Sequence, residues 1–331
     1  MTNGNKISLF VDTVKSMFPE LDMTTLRFGN SKTKKWHHYD FNIPNENKHL
    51  INSPYFYEKR SVAHFTSFHA LSSILQEKSI RLYNLHALND PREFTFASRI
   101  FRLDRNLIDD AKDNLHLMSF CGREILNRPA DEFNMWRLYG HQGRGIAIVF
   151  KIINDPKKWT DFHFSEVSYG DKNRSNLKNL VLLMDELKNA GHSMSADFGK
   201  LCAFHKSNLF KHEVEVRLIF DHRKNRVEGS RTVKNKDKLI FPIIKSDLLK
   251  MIDNKDKVRY LKIPLFHTDL DSKPNDTPLL KIEQIIIGYN YGDEVKRIIS
   301  EVKDLCQENI GYLPIIKQTR LRKYYWDIEN S

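Results

Sequence analysis

The sequence predicts an α+β fold built on a central sheet of mixed, largely antiparallel strands with helices inserted between them. Three observations carry this expectation. Short apolar runs suited to buried strands ("LHLMSFC", "GIAIVF", "IEQIIIG") are spread along the chain. Stretches with apolar residues at helical spacing lie between them. The two kinds of segment come mixed, without the regular alternation of a doubly wound sheet.

Taken in order, residues 1–58 read as a small helical leader. A helix is expected from Lys6 to Glu20, with Ile7, Phe10, Val11, Val14, Met17 and Phe18 on one stripe, followed by a polar connection to Pro54. One domain then runs over 59–326. Val62 to Phe65 reads as a strand, Ser67 as the cap of a helix holding Leu71, Ile74 and Leu75, and Ile80 to Tyr83 as a second strand. Leu115–Cys121 and Gly145–Phe150 read as central strands, with a helical piece around Met135–Gly140 between them. A helical insertion is expected over about 173–210: one helix through Leu177–Leu187, and after Gly191 a second over Phe198–Leu209. That second helix leads into the strand "EVEVRLIF", Glu213 to Phe220. Further strands are expected at 239–244, 260–265, 282–288 and 312–316, with an amphipathic helix at 294–308.

Composition narrows the function classes. No apolar run approaches the roughly 20 residues needed to span a bilayer, and no secretory signal opens the chain. Cys121, Cys202 and Cys306 are far apart and never in a Cys-x-x-Cys pair, the pattern of three reduced thiols in a cytoplasmic protein. The net charge of +11 favours polyanionic partners, whether nucleic acid (DNA or RNA), nucleotide cofactors or anionic surfaces, although its basic residues form small clusters and not one long run. A Gly-rich phosphate loop, a His-Glu-x-x-His zinc motif and a Gly-x-Ser-x-Gly elbow are all missing from the sequence.

Four places could hold chemistry. On the first strand of the domain, period-two spacing puts His64 and Thr66 on one face, where imidazole and hydroxyl could hold a ribose or phosphate oxygen. Asn89-Asp90-Pro91-Arg92-Glu93 reads most simply as a turn followed by a helix start, with Asp90 or Glu93 at a pocket rim as the functional alternative. Tyr139 ends a helix just before a loop with Gly140, Gly143 and Gly145, where a flat ring could stack on a nicotinamide or a base. Finally, Glu213, Glu215 and Arg217 alternate along one strand, carboxylates about 7 Å apart. This is either a solvated edge-strand face or an acidic wall in which Arg217 is the buried partner of Glu213 and Glu215 faces a pocket. A carboxylate there could stabilise positive charge developing on a ribose ring.

At these residues the chain resembles the bacterial domain-of-unknown-function family number twenty-nine seventy-one. The matching pieces are His64–Ser67, Ile74–Leu82, Asn89–Glu93, Ser119–Cys121, Met135–Gly140, Gly145–Phe150, Glu213–Arg217 and Ile282–Gly288. More distantly it resembles ADP-ribosyltransferases of the His-Tyr-Glu type, which include toxins that modify DNA bases. That likeness implies a split sheet with NAD as co-substrate and no metal. It implies that His64 holds a ribose hydroxyl with Thr66 beside it, that Tyr83 or Tyr139 stacks on nicotinamide, and that Glu215 stabilises the ribose cation, with Glu213 as its substitute. It also implies a macromolecular acceptor, nucleic acid or protein, in a toxin or phage-defence setting.

Other readings stand beside it. A non-catalytic nucleic-acid- or protein-binding module would leave His64 and Glu215 apart. A magnesium nuclease would gather Asp90, Glu213 and Glu215 around a metal. A two-histidine phosphoesterase would pair His64-Phe65-Thr66 with His205-Lys206-Ser207, but on a helix His205 and Ser207 would point some 200° apart.

Overall fold

The computed structural model describes residues 3–17, 26–30, 35–40, 59–87, 92–100, 105–159, 162–170, 174–189, 192–197, 199–221, 251–253, 259–271, 274 and 276–323. The chain begins with α1 (Asn3–Met17), β1 (Leu26–Asn30) and β2 (Lys35–Asp40). It continues through β3 (Ser61–Thr66), α2 (Phe68–Gln76), β4 (Ser79–Asn84), α3 (Arg92–Ile100), α4 (Arg105–Asn114) and β5 (Leu115–Gly122). Next come α5 (Pro129–Leu138), β6 (Ile146–Ile152), β7 (Phe162–Glu166), β8 (Ser168–Tyr169), α6 (Arg174–Asn189), β9 (His192–Asp197), α7 (Gly199–Ala203) and β10 (His205–Lys206). The last elements are β11 (Glu215–Asp221), β12 (Met251–Asp253), β13 (Arg259–Pro264), β14 (Leu280–Ile287), α8 (Val295–Ile310) and β15 (Ile315–Gln318). The mixed α+β class read from the sequence is the observed one.

Local chemistry accounts for the elements that frame the domain. Ser67 accepts a hydrogen bond from the Ala70 N–H at 3.1 Å and so caps α2, whose Leu71 and Leu75 are buried. In α8, Val295, Ile298, Val302, Cys306 and Ile310 recur at three- and four-residue spacing and form its buried stripe. Gly311, at φ 75°, ends that helix in the left-handed conformation and returns its N–H to the Cys306 carbonyl. In β6, the "IAIVF" run is buried on both faces, as a central strand requires.

Among the described residues ten strands form the main sheet, and its pairing is not a simple ribbon. β5 runs beside β11 along its whole length, from Leu115↔Asp221 to Cys121↔Glu215. Its other edge is shared: β4 pairs with it at Leu117 and His116, whereas β3 pairs with it only at Cys121 and Gly122. Between those pairings the β5 backbone at Met118–Phe120 has no strand partner on that edge among the described residues. The sheet therefore forks. One limb continues β4-β13-β12 and the other β3-β6-β14-β15. All of these pairings are antiparallel except β14 with β15. Beyond β11 lies β7.

Two expectations need correction here. Glu213–Phe220 is not an edge strand with a solvated face. β11 begins at Glu215, has strands on both sides and is buried at every position. Nor is Phe198–Leu209 one helix: α7 is short, and His205–Lys206 pairs in parallel with β8 before a 3-10 turn over Asn208–Glu213. Lys206 resists the helix because its side chain is wanted inside the domain, as described below. The expected strand at 239–244 lies outside the described residues. The leader and the insertion meet each other: β2 pairs in parallel with β9 in a three-stranded sheet with β1, and α1 packs on α6.

Candidate active site at the fork of the sheet

The fork opens into a cavity of about 790 Å³, within the roughly 300–1,000 Å³ usual for small-molecule sites. It is lined from three directions. His64 and Thr66 come from β3, Ser79, Arg81 and Tyr83 from β4, and Tyr139, Lys206, Glu213 and Glu215 from the far side of β5. The fork supplies one useful group at once. With no strand on that edge, the Ser119 carbonyl of β5 is free to bond the His64 ring at Nδ1, 3.2 Å away. A carbonyl only accepts, so Nδ1 carries the proton and Nε2 is left as an acceptor. Burial pushes the His64 pKa down and the hydrogen bond to Ser119 only partly offsets it, so the ring is neutral at pH 7.

The carboxylates form a closed network. The 3-10 turn is capped by Ser207 and ends at Glu213, and Val214 then adopts the left-handed conformation with φ 46°. A β-branched residue there costs on the order of 1–3 kcal/mol. It is held by its surroundings: the Gly122 N–H donates to the Val214 carbonyl at 2.9 Å, and the Glu215 N–H to the Tyr169 hydroxyl at 2.7 Å. The kink sets Glu213 and Glu215 around one ammonium. Lys206 Nζ lies 2.6 Å from Glu213 Oε2 and 3.2 Å from Glu215 Oε2. Arg217 donates from Nε to Glu215 Oε1 at 2.7 Å and from a terminal nitrogen to Oε2 at 3.1 Å, while its other terminal nitrogen bonds the Ala203 carbonyl at 2.6 Å. Tyr139 donates its hydroxyl to Glu213 Oε1 at 2.7 Å.

This overturns one assignment. Arg217 is the partner of Glu215, not of Glu213. With Arg217, Lys206 and the Ser119 hydroxyl all donating to it, Glu215 has used about the four acceptor positions a carboxylate has. Burial alone would raise its pKa, but the Arg217 and Lys206 charges outweigh burial and hold the carboxyl below its ordinary value. Among the described residues Glu213 accepts one hydrogen bond on each oxygen, from Tyr139 and from Lys206, and keeps acceptor capacity toward the cavity.

Of the other residues singled out in the sequence, Thr66 lines the cavity, Tyr139 stands at the carboxylate end and Tyr83 on the β4 limb. Asn89 and Asp90 lie outside the described residues, as does the side chain of Glu93 in α3. Arg217 lies behind Glu215, fully buried, and does not line the cavity. Sequence reasoning missed Lys206, since a helix over 198–209 would have turned it elsewhere. The alternation His205-Lys206-Ser207 was the available signal: with Lys206 facing the cavity on a strand, its neighbours face away. The two-histidine arrangement therefore fails for a different reason than helical geometry. Lys206 also fills the place between the carboxylates that a divalent cation would take, and no grouping of metal-ligating side chains occurs among the described residues. Cys121 lines the cavity too, but burial and the neighbouring Glu215 and Glu213 push its thiol well above the ordinary range, which keeps it un-ionised and inert as a nucleophile.

The helix that delivers Tyr139 is fixed from behind. Glu132 of α5 accepts from Trp136 Nε1 at 3.0 Å and from the Thr319 hydroxyl at 2.5 Å, and Trp136 packs edge-on against Phe65 of β3. Gly145, just before β6, is required by close approach, since a Cβ there would sit 2.3 Å from the Thr66 carbonyl oxygen.

His64 makes a pH prediction. Its folded pKa lies below the unfolded value near 6.5, so between the two the unfolded chain binds more protons and stability falls as pH falls. Melting temperatures at pH 7.5 and 5.5 should therefore drop more in the wild type than in His64→Asn. Equal drops would show that the ring is not held neutral.

Fold and site together define an α+β protein with a nucleotide-sized cavity at a forked sheet, floored by a compensated carboxylate pair. The family model described as protein of unknown function (DUF2971) matches residues 135–218, the segment that carries Tyr139, Lys206, Glu213, Glu215 and Arg217. That match supports the likeness to this family of unknown function over this segment. Curated proteins and solved structures give no match. No described helix is long and apolar enough to cross a membrane.

Proposed function

We propose that this chain is an NAD-dependent ADP-ribosyltransferase acting on a macromolecular acceptor, with nucleic acid the acceptor its basic charge suits best. The observation that carries the reading is the convergence of His64, Thr66, Tyr139, Glu213 and Glu215 on one cavity. The chemistry asks for such a set. Breaking the bond between ribose and nicotinamide sends the bonding pair out with nicotinamide and leaves positive charge on the ribose, which fixed carboxylates stabilise. The acceptor's nucleophile then bonds to the same carbon and its proton passes to a basic group.

The residues divide the work as follows. His64 Nε2 accepts from a ribose hydroxyl, and the Thr66 hydroxyl lies beside it. Tyr139 offers a ring at the carboxylate end, half-exposed at 38%. Glu213 faces the ribose with its spare acceptor capacity. Glu215, locked by Arg217, is the fixed negative charge beneath it. A modification of this kind would serve a toxin or a defence against phage.

The test is incubation of the protein with NAD labelled on the adenylate side, together with DNA, RNA and protein acceptors. Label should pass to one acceptor with release of nicotinamide, and His64→Ala should abolish both. If no acceptor takes label and no nicotinamide is released, the proposal falls.

A further inference from the structure

We infer that the β4 limb of the fork is a phosphoryl-binding face, which takes the diphosphate of a nucleoside diphosphate group with Tyr83 as a platform for its base. The proposal deepens the NAD reading and rests on it only for what lies at the carboxylate end. The pattern is already in the strand. In "SIRLYN", Ile80 and Leu82 are buried at 1% and 0% exposure, and alternation turns Ser79, Arg81 and Tyr83 to the other face. All three line the cavity, with Ser73 and His69 of α2 nearby.

The charge of this limb differs from that of the carboxylate end. There, Glu213 and Glu215 are balanced by Lys206 and Arg217. Here, Glu77 alone faces two cations: it accepts from Arg81 Nε at 3.1 Å and from a terminal nitrogen of the same side chain, and Lys262 Nζ lies 3.3 Å away. The local balance is one positive charge. A guanidinium has five N–H donors. Two go to Glu77 and Tyr83 is within hydrogen-bonding reach, which leaves donors for a phosphate. The group lies over the Tyr260 ring, 4.5 Å from its centroid, and the Tyr83 ring centroid is 5.7 Å from that of Tyr260. Arg81 is therefore placed in advance, which is how forked recognition of phosphate gains its strength.

Ser79 supplies an independent sign. It is 6% exposed and its Oγ has no hydrogen-bond partner among the described residues, a situation folded proteins avoid because an orphaned buried hydroxyl is costly. The side chain lines the cavity, where a phosphoryl oxygen would satisfy the hydroxyl. The orphan is explained if a ligand completes it.

Calorimetric titration of the full chain with ADP and, separately, with adenosine tests the proposal. ADP should bind at least about tenfold tighter than adenosine, the ratio expected when hydrogen bonds to a charged group are added. Ser79→Ala should weaken ADP by about tenfold and leave adenosine unchanged. The same variant should melt no lower than the wild type without ligand, because it removes an unsatisfied group; a merely structural serine would not show that combination. Arg81→Gln leaves Glu77 paired with Lys262, so that no charge is stranded, and should also weaken ADP. Equal affinity for ADP and adenosine, no binding of ADP, or ADP affinity unchanged in both variants would overturn the inference. Should ADP bind in this way while labelled NAD is never consumed, the transferase reading fails and the phosphoryl face stands. Should NAD be consumed with an unaltered KM in Ser79→Ala, the phosphoryl face fails alone.

Discussion

Arg217→Met should lower the free energy of unfolding by about 3–5 kcal/mol, the usual cost of removing one partner from a buried ion pair. The side chain is 2% exposed and bonds both oxygens of Glu215 as well as the Ala203 carbonyl. Its loss leaves Glu215 with Lys206 as its only cationic contact among the described residues, an ammonium already shared with Glu213. Urea denaturation followed by fluorescence measures the effect. The double variant Glu215→Gln with Arg217→Met should recover part of the loss, because no anion is then stranded. A single variant within about 1 kcal/mol of wild type, the ordinary effect of a point substitution, would mean that the network carries no such weight.

Glu213→Gln should lower kcat of the proposed transferase by about 10²–10³, the scale seen when one group that stabilises developing charge is removed. The exchange keeps the shape. With the amide oxygen accepting from Tyr139, the amide nitrogen faces the Lys206 ammonium, which keeps Glu215 as its other partner, so melting temperature should fall, though less than in Glu215→Gln. KM for NAD should stay near wild type, since the missing charge acts mainly on the transition state. The comparison with Glu215→Gln separates the roles: its loss of activity should come with a loss of stability, because Arg217 and Lys206 would then face a neutral group. An active Glu213→Gln beside an inactive but fully stable Glu215→Gln would reverse the two assignments.

Much of this site was legible in the sequence because it is written in short-range pattern. Alternation placed His64 and Thr66 on one face of β3, and both line the cavity. Ser67 announced α2, and the three-to-four spacing of Val295 to Ile310 announced α8. What failed was non-local. Apolar residues at helical spacing over 198–209 concealed a chain that turns into β10, because the pull on Lys206 comes from Glu213 and Glu215, which a helical pattern does not register. The pairing of Arg217 with Glu215 failed for a similar reason. A straight strand treats Glu213 and Glu215 as equals, and only the left-handed Val214 takes Glu213 off the strand. Ser79 and Arg81 went unremarked because a serine and an arginine alternating on a strand are ordinary until the sheet is seen to fork.

The fork also has a consequence for how the protein comes to exist. β3 and β4 are close in sequence, yet neither pairs with the other; each waits for β5. The contacts that complete the cavity span long loops, 55 residues between His64 and Ser119 and 74 between Tyr139 and Glu213. Closing such loops costs entropy before any contact repays it, so they form late in folding. A nascent chain that has emerged only as far as β6 has the inner strands of the limbs, β4 and β3-β6, and an empty floor. Whatever the site does, it can do nothing until β11 has been synthesised and has docked beside β5.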